Sequence, residues 1–192
     1  MPIFFEQLNT LLALCTVFMQ GAAVALFAVF FLRKKSVAFE IWSARISAVA
    51  VPAALALVLA GIAVTLYHSV IVGLLPCPLC YLQRIFLYPQ AVLFAVALWK
   101  KDRGIADYSL ALSVLGAAVA LYQHALQMGV VSAAPCIAGG ADCAARVFFE
   151  FGYITYPLMA FSLFALLIAL MLFARERRDG YATTSPSVPR TM

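Results

Sequence analysis

Residues Leu74–Pro89 read LLPCPLCYLQRIFLYP, and the architecture of the chain turns on them. Cys77 and Cys80 stand three apart, the spacing at which two thiols close into a small reversible disulfide or hold one edge of a metal site. The run that follows, Tyr81 to Trp99, is apolar enough to be a membrane helix. That puts the sulfur of Cys80 near a helix N-terminus, where the dipole favours thiolate over thiol. Arg84 returns to the same helical face one turn on. A guanidinium at a membrane boundary is expensive unless it meets an anion, and the expected anion is a thiolate or a reduced ligand.

Outward from that stretch, the 192-residue chain is 66% hydrophobic and 11% charged, whereas soluble domains are roughly 45–50% apolar. An ordinary soluble domain is excluded. Five stretches, 11–32, 46–67, 81–99, 108–126 and 153–174, are each about long enough to cross a bilayer core, which takes roughly 17–25 residues. The expected fold is all-α, a polytopic membrane helix bundle forming a single domain over residues 1–178. Residues 179–192 are polar and rich in Ser, Thr and Pro, and read as a disordered tail.

The net charge of +5 does not point to nucleic acid, because the basic residues sort by side. Arg33, Lys34, Lys35 and Arg45 lie between the first two spans, Lys100, Lys101 and Arg103 between the third and fourth, and Arg175, Arg177, Arg178 and Arg190 follow the fifth. By the positive-inside rule that face is cytoplasmic, leaving the N-terminus and both cysteine-bearing connections outside. The opening MPIFFEQLNT carries Glu6 and no basic residue, so the first apolar run lacks the n-region of a signal peptide and is expected to be retained.

Along the chain, Cys15 sits inside the first span without a second cysteine nearby and reads as a small buried apolar residue. His68 closes the second span in Tyr67-His68-Ser69 and reads as an interfacial residue. Pro89 predicts a kink in the third span. The fourth carries Gly116-Ala117-Ala118 and Ala120, which allow close helix approach, and then turns polar at Tyr122, Gln123, His124 and Gln127. His124 lies at about the depth of Arg84 and is a functional candidate, with an interfacial histidine bonded to a backbone carbonyl as the plainer reading. The next loop contains PCIAGGADC, in which Gly139-Gly140 gives the freedom to bring Cys136 and Cys143 together. A structural staple is the plainer reading of that pair.

Two cysteine pairs on one face, one on a flexible exposed loop and one fixed at a helix start beside Arg84 and near His124, describe a relay of thiol–disulfide exchange. A relay needs a terminal electron acceptor, and at membrane depth that acceptor is a lipophilic quinone. Its ring would need an apolar slot with a cation or donor, which Arg84 and His124 suit. The alternative from another class is a membrane zinc-binding protein using the four cysteines as ligands.

PCPLCYLQRIFLYP, then YQHALQ, then a paired-cysteine loop followed by FGYITYP, resembles the bacterial DsbB/BdbC family of disulfide bond formation proteins, over roughly Ile46 to Ala174. The resemblance implies a bacterial inner-membrane thiol oxidase that reoxidises an extracytoplasmic thioredoxin-like dithiol partner and reduces ubiquinone or menaquinone. It implies that Cys136 is attacked by the partner, that Cys143 and Cys77 exchange between loops, and that Cys80 faces the quinone. Arg84 and His124 match the family's quinone-side residues. The family core has four spans, so the segment around Leu11–Leu32 is an additional N-terminal helix, and the close spacing of Cys136 and Cys143 is that of the shorter-loop members.

Overall fold

The structure is a computed structural model that describes residues 2–102, 104–131 and 141–184. Among these residues five helices form and no strand does: α1 (Pro2–Leu32), α2 (Val37–Leu66), α3 (Pro78–Lys100), α4 (Ile105–Gln127) and α5 (Tyr156–Thr184). Each is long and apolar enough to cross a membrane, and the protein is a multi-pass membrane protein. A helix satisfies every backbone group within itself, which a span in hydrocarbon requires.

Helices α2, α3, α4 and α5 close a ring in which α3 packs against α2 and α4, and α5 packs against the same two from the other side. Helix α1 lies outside this ring, mainly on α5. Some 61% of the α5 span is buried, against 17% for α1 and for α2, so α5 is the axis on which the other helices are hung. Its Phe164, Leu167, Leu170 and Met171 share one core cluster with Ala50, Ala54 and Val58 of α2 and Phe94 of α3.

Lipid tails are as apolar as leucine, so the helices gain little by hiding apolar faces, and close packing must hold them together. The small residues do this. A Cβ on Gly116 of α4 would run into the Phe164 ring of α5, and one on Gly61 of α2 would come within 2.7 Å of the Leu163 side chain. The close approach read from the fourth span is therefore present, centred on Gly116. Between α3 and α4 the fully buried Gln90 adds a polar clasp. It donates to the Phe86 carbonyl at 2.9 Å and to Ser113 Oγ at 3.2 Å, and accepts from Ser109 Oγ at 2.7 Å. A satisfied network of this kind orders a membrane interior, whereas an unsatisfied amide there would be costly.

The connections sort to two ends. At the basic end, Arg33 pairs with Glu176 at 2.7 Å and Arg175 with Asp107 at 3.2 Å, joining the end of α1, the start of α4 and the far part of α5. At the cysteine end, α2 loosens into a π-helical turn, Tyr67–Ile71, before the chain reaches α3. Helix α3 starts at Pro78, three residues before the expected span, because a proline at the first helical position costs no hydrogen bond. Helix α5 starts at Tyr156 rather than Tyr153, since Glu150 and Ile154 pair their backbones across a tight reversal with Phe151 and Gly152 at positive φ. It continues to Thr184, into the stretch read as tail; residues 185–192 lie outside the described residues.

Candidate active site

Cys77 is the N-cap of α3. Its backbone is extended (φ −74°, ψ 166°) and its Sγ accepts from the Cys80 N–H at 3.3 Å, so it occupies the place a serine or aspartate takes in an ordinary cap. This local geometry turns the two side chains together, and their sulfurs lie 2.8 Å apart. Cys77 is buried and Cys80 half-buried. The hydrogen bond it shares with Cys80 and, after that, burial hold the Cys77 thiol well above the usual cysteine range.

Cys143 completes the group, with its side chain within hydrogen-bonding reach of Cys77. It is only 2% exposed, which corrects the expectation of a wholly flexible and exposed loop pair. The cause is a set of ties to the end of α4. Gln127 Nε2 donates to the Ala145 carbonyl at 3.0 Å and Arg146 Nε donates to the Gln127 carbonyl, while within the turn itself Asp142 Oδ1 accepts from the Ala144 N–H at 2.9 Å. Arg146 thus meets the carbonyl end of α4, where a cation is favoured, and fixes the turn that carries Cys143. Cys136 lies outside the described residues.

Arg84 does not bond a sulfur directly. Its Nη2 donates to the Thr65 carbonyl and to Ser69 Oγ, where α2 passes into the π-helical turn and Ser69 Oγ also donates to the Thr65 carbonyl at 2.9 Å. Arg84 stands one helical turn from Cys80 on the same helix. Both Arg84 bonds leave from Nη2, so the guanidinium keeps donors on Nε and Nη1, and it lies 5.5 Å from the centre of the exposed Tyr81 ring. His124 faces the other way: its Nδ1 pairs with Thr155 Oγ1 at 2.9 Å, just before α5. Among the described residues no contact joins His124 to Arg84. His68, read as interfacial, is buried, with Nδ1 on the Val64 carbonyl at 2.8 Å and its ring against Tyr156.

The residue that does meet the sulfurs is Gln123, 2% exposed and one position before His124. Its Nε2 lies 3.1 Å from Cys77 Sγ and 3.3 Å from Cys80 Sγ, and its Oε1 accepts from Gln83 Nε2 at 2.7 Å. Ser109, Ser113, Gly116, Ala120, Gln123 and Gln127, all buried on α4, repeat in alternating steps of four and three, and that seam passes through Gln123 and not His124. Among the described residues no three His, Cys, Asp or Glu side chains converge as a metal site, so geometry adds nothing to the zinc alternative.

A membrane helix bundle that sets two cysteines sulfur to sulfur at a helix start, with a third cysteine interacting with the first, has the makings of a membrane thiol–disulfide oxidoreductase. Residues 45–174 match the family described as disulfide bond formation protein DsbB, and the chain belongs to that family, whose business is disulfide formation at the membrane. The match begins within α2 and leaves α1 outside it. A probable disulfide formation protein C 1 of Bacillus cereus is 40% identical over 97 residues, which is 50% of this chain and 70% of the relative. An SPbeta prophage-derived disulfide bond formation protein B of Bacillus subtilis is 36% identical over 120 residues, 62% of this chain and 81% of the relative. A probable disulfide formation protein of Chlamydia caviae is 30% identical over 118 residues, 62% of this chain and 85% of the relative. No solved structure matches the chain.

Proposed function

We propose that this protein reoxidises a thioredoxin-like dithiol protein outside the cytoplasmic membrane and passes the electron pair through Cys136 and Cys143, then Cys77 and Cys80, to ubiquinone or menaquinone. The observation that carries the reading is the 2.8 Å approach of the Cys77 and Cys80 sulfurs at the start of α3, with the buried Cys143 side chain interacting with Cys77. The gathering of basic residues at the opposite end supports an orientation with the cysteine end and N-terminus outside and the C-terminus in the cytoplasm.

In this sequence a partner thiolate attacks Cys136, opening the Cys136–Cys143 disulfide and leaving Cys143 as a thiolate. The partner's second thiolate then releases the oxidised partner. Cys143 attacks Cys77, a Cys143–Cys77 bond forms, and Cys80 departs with the electron pair of the broken Cys77–Cys80 bond. Cys136 next attacks Cys143, which restores the loop disulfide and frees Cys77. Each exchange is redox-neutral in itself, with rates set by thiolate fraction and by the leaving sulfur.

Arg84 fits a quinone headgroup, with free guanidinium donors near the exposed ring of Tyr81, and Cys80 one turn away. The quinone supplies the acceptor for two electrons and two protons, which regenerates the Cys77–Cys80 disulfide. Arg84 would hold its carbonyl edge and stabilise negative charge there. The test is anaerobic: the membrane protein, a reduced thioredoxin-like protein and added quinone. One quinone reduced per dithiol oxidised is expected; thiol oxidation without quinone reduction would overturn the acceptor.

A further inference from the structure

We propose that Gln123 is a positioning residue for exchange between the two cysteine pairs, a neutral donor that serves whichever sulfur of Cys77 and Cys80 is leaving. The inference rests on the relay just described and concerns its middle step. When Cys143 attacks Cys77, the Cys143–Cys77 bond forms, the Cys77–Cys80 bond breaks, and its electron pair stays on Cys80 as a thiolate. When Cys136 then attacks Cys143, the Cys143–Cys77 bond breaks and the charge stays on Cys77. Gln123 Nε2 is 3.3 Å from the first leaving sulfur and 3.1 Å from the second, so one amide group reaches both.

Three features separate this from ordinary packing. The amide cannot turn over without loss, because Gln83 Nε2 donates to its oxygen at 2.7 Å and so aims its N–H bonds at the sulfurs. Those bonds end on weak acceptors while the sulfurs are neutral, and on strong ones when either is a thiolate. Gln90 is the contrast on the same interface: an equally buried glutamine bonded to two serine hydroxyls and a carbonyl, a clasp with no change of charge to answer. Neutrality also matters. A lysine in this place would bury a permanent charge at membrane depth and hold one thiolate against further exchange.

The experiment follows a single turnover of the full-length protein in lipid nanodiscs, mixed with a reduced thioredoxin-like protein and quenched with an alkylating agent. Mass spectrometry then reports when each disulfide opens. In Gln123→Leu the loop disulfide should open at the wild-type rate, while the Cys77–Cys80 disulfide opens roughly ten- to a hundredfold more slowly, the range for losing a hydrogen bond to a charged group. Gln83→Leu, which keeps the donor but frees its orientation, should slow only the second step, by several-fold. In Gln123→Glu only the protonated carboxyl carries a donor, so its rate relative to wild type should rise as pH falls, which packing damage would not produce. Both steps slowed alike, or neither, overturns the proposal. Should Gln123→Leu not accumulate, a wild-type rate in Gln83→Leu with a pH-independent ratio in Gln123→Glu overturns it equally. If the wild type itself never opens Cys77–Cys80 from the loop, the relay fails, whatever the variants do.

Discussion

Gly116→Ala adds one methyl group where α4 lies against the Phe164 ring of α5, the closest approach among the described glycines. An ideal Cβ there would meet three atoms of the Phe164 ring, two of them at 2.6 and 2.7 Å, where ordinary contact begins at 3.4 Å. Phe164 is 1% exposed and has no free direction in which to turn. Helix α4 must therefore back away from α5 by somewhat under about 1 Å, a gap that forfeits a quarter to a half of each affected dispersion contact. Overpacking of this kind costs about 1–3 kcal/mol, or roughly a five- to hundredfold fall in the folded-to-unfolded ratio. Because α4 carries Gln123 seven residues further on, the same shift should loosen the amide from the sulfurs. The assay is a denaturation cycle in mixed micelles with Phe164→Leu as the second variant, since the smaller side chain makes room for the methyl group. Gly116→Ala should be clearly less destabilising in that background. Equal cost in both backgrounds, or no cost in the wild type, would refute the packing argument.

Other substitutions separate the parts of the site. Arg84→Ala should lower quinone reduction by roughly a hundredfold, the scale of removing one donor from a developing charge, while exchange with the dithiol partner stays near wild type; equal damage to both half-reactions would make Arg84 structural. Cys15→Ala, on an exposed face of α1 outside the family match, should change stability by less than about 0.5 kcal/mol and leave turnover intact, and loss of activity in a well-inserted variant would contradict this. In the reduced protein the raised Cys77 value means that its neutral thiol persists to higher pH. Its alkylation rate should keep climbing past the pH, about 8.5, at which an ordinary cysteine is half-ionised, and a plateau near there would show the thiol to be unperturbed.

The parts of this architecture legible in the sequence are those written in local pattern. Apolar length gives the five helices, and the Cys77-Pro78-Leu79-Cys80 spacing before an apolar run gives a paired-sulfur helix start, because the cap and the proline act on neighbouring residues. What depends on helix phase is harder to see. Gln123 and His124 are adjacent and both polar, and a 100° step around α4 sends one toward the sulfurs on α3 and the other to Thr155. The titratable residue drew the eye, while the period of the small and polar residues pointed to the amide. Long-range ties are less legible still. A glycine-containing loop reads as mobile, yet Arg146 and Gln127 moor Cys143 to the end of α4 through backbone carbonyls that carry no sequence signature. Arg84 likewise finds its partners at the end of α2, nineteen and fifteen residues back.

The central claim is that Cys143 and Cys77 exchange directly, and the double variant Cys80→Ser, Cys136→Ser tests it with one measurement. With both resolving thiols removed, Cys77 and Cys143 should close into a disulfide when an added mild oxidant takes the electron pair, and stay so. Peptide mapping of this variant under non-reducing conditions should recover Cys77 linked to Cys143. Recovery of both as alkylated thiols would contradict the relay.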